Sequence, residues 1–74
     1  MSANRDKFVK LAEARTTRAI KQIQLIGNLS NRSNYTWNES DVKKIFSALE
    51  SELRQARKRF ESFEVSKGVD FTLD

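Results

Sequence analysis

The sequence contains no cysteine, no histidine and no proline, and its two glycines stand alone at Gly27 and Gly68. Each absence removes a class of function. Without cysteine there is no disulfide framework and no nucleophilic thiol. Without cysteine and histidine the usual ligands for zinc, haem and iron–sulfur clusters are missing. The commonest general acid–base at neutral pH is missing too. The ten Asp and Glu are scattered rather than clustered, which argues against a calcium or magnesium cage. Isolated glycines make no phosphate-cradling loop. The expectation is therefore a protein that is not an enzyme, with no cofactor, no metal and no small-molecule substrate. No apolar run approaches the roughly 20 residues of a membrane span. The opening Met1-Ser2-Ala3-Asn4-Arg5-Asp6 has no apolar h-region, so no signal peptide is expected and the location reads as cytoplasmic.

What is present is helical. The chain has 74 residues, 38% apolar and 32% charged, with a formal net charge of +4. A chain of that size reads as one small domain whose lone monomer would be marginal. With disulfides and metals removed, oligomerisation is the remaining route to stability.

The dominant pattern runs from Glu39 to Lys67. Val42, Phe46, Leu49, Leu53, Ala56, Phe60 and Phe63 alternate gaps of four and three. A mean spacing of 3.5 puts them on one helix face as a coiled-coil seam. Ile45 widens the seam at its start. Glu39 with Lys43, and Glu50 with Arg54, are i,i+4 pairs in the favourable order, each worth a few tenths of a kcal/mol.

A first helix is expected over about residues 4–26. Its stripe is Phe8, Ala12, Ala19, Ile23 and Ile26, flanked by Leu11 and Ile20 and interrupted by Arg15. Gly27 is expected to stop it in a left-handed conformation. Residues 27–36, rich in Asn and Ser, read as the connection. The second helix is expected over about 37–67. Thr36 with Glu39 matches a capping box, and Asn38 with Asp41 is a competing start two residues later. Residues 68–74 alternate apolar and polar, with Val69, Phe71 and Leu73 on one side of an extended tail. The fold expected is all-α, an antiparallel two-helix hairpin with a short extended C-terminal tail. One hairpin leaves much of the seam uncovered, so two are expected to pair as a homodimeric four-helix bundle.

Two features bear on function. Lys7, Lys10, Arg18 and Lys21 fall within about 80° of one another on a helical wheel. Residues 1–27 hold six basic and two acidic side chains. This face can line a phosphate backbone, although charge runs on helices are most often solvated faces. Tyr35 and Trp37, beside the Asn-rich connection, are of the types that anchor protein interfaces or stack on bases. They can equally close one end of a helical core. They join Val69, Phe71 and Leu73 as candidate partner contacts. The leading expectation is a small non-catalytic interaction or regulatory protein, a helical homodimer that binds a macromolecular partner. The alternative is a nucleic-acid-binding protein using the basic face of helix one. A further alternative is an orphan helical subunit of a larger complex.

Overall fold

The computed structural model describes residues 3–72, and side chains as far as Ser62. It is all-helical among the described residues: α1 spans Ala3–Asn28 and α2 spans Glu39–Thr72. The chain divides into two units, Met1–Trp37 and Asn38–Asp74, each built around one helix.

In the first unit α1 is 26 residues long, with Asp6 in its first turn, where the positive end of the helix dipole favours an acid. The expected stop at Gly27 does not occur. Gly27 has no positive φ and remains helical. The end comes two residues later and is tightened by i→i+3 bonds. The Leu29 N–H donates to the Ile26 carbonyl at 3.0 Å and the Ser30 N–H to the Gly27 carbonyl at 3.1 Å. One glycine costs a helix about 1 kcal/mol relative to alanine. That does not outweigh continued backbone hydrogen bonding, and termination falls instead to the Asn and Ser residues that follow.

Residues 29–38 are a tied loop rather than a slack link. The Asn31 carbonyl accepts from the N–H groups of Asn34 at 3.1 Å and Tyr35 at 3.0 Å. The Asn31 Oδ1 accepts from the Ser33 N–H at 3.0 Å and its hydroxyl at 2.6 Å, an Asx turn with a second bond. The Trp37 indole N–H reaches back to the Ser30 carbonyl at 3.3 Å.

In the second unit the competing cap is the one that forms. The Asp41 N–H donates to Asn38 Oδ1 at 2.9 Å, and the Asn38 N–H donates to Asp41 Oδ2 at 3.0 Å. The Asn38 carbonyl accepts the first helical bond, from Val42 at 3.3 Å. Asn38 is thus the N-cap and Asp41 closes the reciprocal box. Thr36 and Glu39 do not, and α2 begins two residues later than the Thr36 reading implies. Glu39 and Asp41 in the first turn also complement the dipole.

The extended tail is corrected as well. α2 runs 34 residues, through Gly68 to Thr72. With no proline to remove a backbone donor, helix propagation adds one bond per residue and overrides a short alternating pattern that has no neighbouring strand to pair with. The face expected to be shared by Val69 and Phe71 rests on side chains outside the described ones. Leu73 lies outside the described residues.

Candidate interaction surfaces

Among the described residues none is buried. The seam of α2 therefore lies open. Val42 and Leu49 are half-buried, while Ile45, Phe46, Ala56, Leu53 and Phe60 are exposed, the last two to 65% each. Phe63 shares the heptad register, but its side chain lies outside the described ones. Each large side chain moved from water to a packed interior contributes about 1.5–3 kcal/mol. An open stripe of this length is a strong drive to associate, and amphipathic helices draw most of their stability from such packing.

The seam is edged by charge. Glu50, Glu52, Arg57 and Arg59 are all exposed. Arg57 donates to Glu61 across one turn, Nε to Oε2 at 3.2 Å, with the two side chains 82% and 60% exposed. So open a pair contributes little, and its Arg-before-Glu order is the weaker one. Glu39–Lys43 and Glu50–Arg54, the pairs expected from sequence, do not close among the described residues.

On α1 the cations Lys7, Lys10, Arg18 and Lys21 are all exposed. None closes an ion pair among the described residues. Lys7 and Lys10 also border an open hollow along the first turns, with Arg5, Asp6 and Val9. Nearby, the Arg5 guanidinium sits over the Phe8 ring at 5.7 Å from its centroid. Phe8, Leu11, Ile20 and Ile23 are exposed, and Ala12 and Ile26 are half-buried.

In the connecting loop Trp37 is half-buried and Tyr35 exposed. The Arg32 guanidinium lies over the Trp37 ring at 3.6 Å from its centroid, a cation–π stack that sequence reading missed. The signal was there, a lone Arg five residues before a lone Trp, but that spacing fits no helical contact rule. Of the residues expected to contact partners, the structure places Tyr35 and Trp37 in one tied loop. Side chains at Val69 and Phe71 lie outside the described ones. Among the described residues no helix is long and apolar enough to cross a membrane. No protein-family model, curated protein or solved structure matches the chain.

Proposed function

We propose that this chain is a small non-catalytic interaction or regulatory protein that self-associates through α2 and, as a homodimer, binds a macromolecular partner. Two antiparallel hairpins packed as a four-helix bundle would cover the seam. The observation carrying this reading is the open apolar stripe from Val42 to Phe60, flanked on both sides by charge. The test is a mass measurement in solution on the wild type and on Leu53→Glu. A charge at the centre of the seam costs at least several kcal/mol in a packed interface. The expected result is a wild-type dimer and a variant that loses both dimer and helicity. A wild type that stays a folded monomer at every practical concentration overturns the reading. A largely unfolded wild-type monomer favours an orphan subunit completed by another chain.

A second reading has its own observation. Lys7, Lys10, Arg18 and Lys21 are exposed with no acid closed onto them among the described residues, so α1 offers a cationic stripe to phosphates. A two-fold dimer would present it twice.

A further inference from the structure

We propose that α2 pairs with α2 of a second copy running in the opposite direction, the two-fold axis crossing the helix pair between Arg54 and Gln55. This rests on the self-association reading above and adds orientation and register to it.

The first argument is packing. In the heptad, Phe46, Leu53 and Phe60 occupy one core position and Val42, Leu49 and Ala56 the other. A parallel pair stacks each core residue on its own copy, so Ala56 meets the partner's Ala56 and leaves a thin layer between bulkier ones. Voids of that kind are costly. The antiparallel pair sets one core position against the other. Leu53 then meets the partner's Ala56, and Leu49 meets the partner's Phe60, so the small side chain is covered by a large one.

The second argument is charge, at the positions edging the core. In the antiparallel register Glu52 faces the partner's Arg59 and Glu50 faces the partner's Arg57, each contact occurring twice by symmetry. The parallel register sets Glu52 against the partner's Arg57 and Arg59 against the partner's Glu64, but leaves Glu50 against the partner's Ile45. Among the described residues Glu52 and Arg59 also close no ion pair within the chain. Neither has a charged residue three or four positions away in its own sequence, the spacing at which helix neighbours touch. Both are exposed. Among the described residues Arg57 is held by its open bond to Glu61 alone. Opposed helix dipoles favour the same orientation.

The experiment is a charge-reversal cycle on the full chain, read as the dimer dissociation constant by sedimentation equilibrium. Glu52→Arg alone and Arg59→Glu alone are each expected to weaken the dimer on the order of tenfold, since two symmetric contacts change from attraction to repulsion. The double variant is expected to recover to within about threefold of wild type, because the antiparallel contact is restored with its signs exchanged. In a parallel dimer the double variant does not recover. There Glu52→Arg puts a cation against the partner's Arg57, and Arg59→Glu puts an acid against the partner's Glu64. Single variants without effect, or a double variant that stays weak, overturn the antiparallel pairing while leaving self-association standing. A monomeric wild type overturns self-association itself.

A distance measurement gives an independent reading. The chain has no native cysteine, so Lys44→Cys and Lys58→Cys can each carry one spin label on the side of α2 away from the seam. Antiparallel pairing separates the two Lys44 sites by about 30 Å along the axis and the two Lys58 sites by about 10 Å, at 1.5 Å per residue. Equal separations at the two sites overturn the proposal.

Discussion

The guanidinium carbon of Arg32 sits 3.6 Å from the centroid of the Trp37 ring, while the Trp37 indole N–H is bonded to the Ser30 carbonyl. One aromatic side chain thus ties together both ends of the loop, and Asn31 organises its middle. Trp37 is the sole tryptophan, so its fluorescence reports on this loop alone. Arg32→Ala should shift the emission to the red as the ring gains water. It should also lower stability by about 0.5–1 kcal/mol, the range for an exposed cation–π contact. An unchanged spectrum would show that the stack does not persist in solution.

The cap of α2 gives a sharper comparison. Asn38→Ala removes the acceptor for the Asp41 N–H and should cost about 1 kcal/mol. Thr36→Ala should be nearly neutral, because Thr36 lies outside the reciprocal box. Thermal melts of the two variants rank them. The reverse order would move the helix start back to Thr36.

Gly27 makes a third case. It lies in α1 without a positive φ, and a Cβ built there meets nothing within 4 Å. Gly27→Ala should therefore raise stability by about 0.4–1 kcal/mol by restricting the unfolded chain. A left-handed cap at this position would give the opposite sign. Circular dichroism melts distinguish the two.

The cationic stripe is tested by Lys10→Gln with Arg18→Gln. If α1 contacts phosphates, binding should weaken across all nucleic-acid sequences, and the salt slope should fall by about two units per protomer. Both residues are exposed, so stability should change by no more than about 0.5 kcal/mol. Wild type that binds neither duplex nor single strands at low salt removes the nucleic-acid reading.

The heptad spacing from Val42 to Phe60 and the looser stripe from Phe8 to Ile26 were enough to place two helices, because repeated apolar spacing at 3.5 to 3.6 residues has one regular backbone solution. The charge stripe on α1 was legible for the same reason. Local sequence alone did not decide where the helices stop. Thr36–Glu39 and Asn38–Asp41 both match a capping box, and the choice lies in which side chain meets which N–H, a difference of geometry rather than residue type. Gly27 read as a stop and Gly68 as the start of the extended tail, yet both were carried through by a backbone that gains a hydrogen bond with each added residue. The alternation of Val69, Phe71 and Leu73 suggested a strand, but two-residue periodicity needs a neighbouring strand to become structure, and α2 runs helical to Thr72. The Arg32–Trp37 stack belongs to the three-dimensional structure alone. It depends on the turn at Asn31 folding the loop back on itself, and no one-dimensional spacing specifies that path.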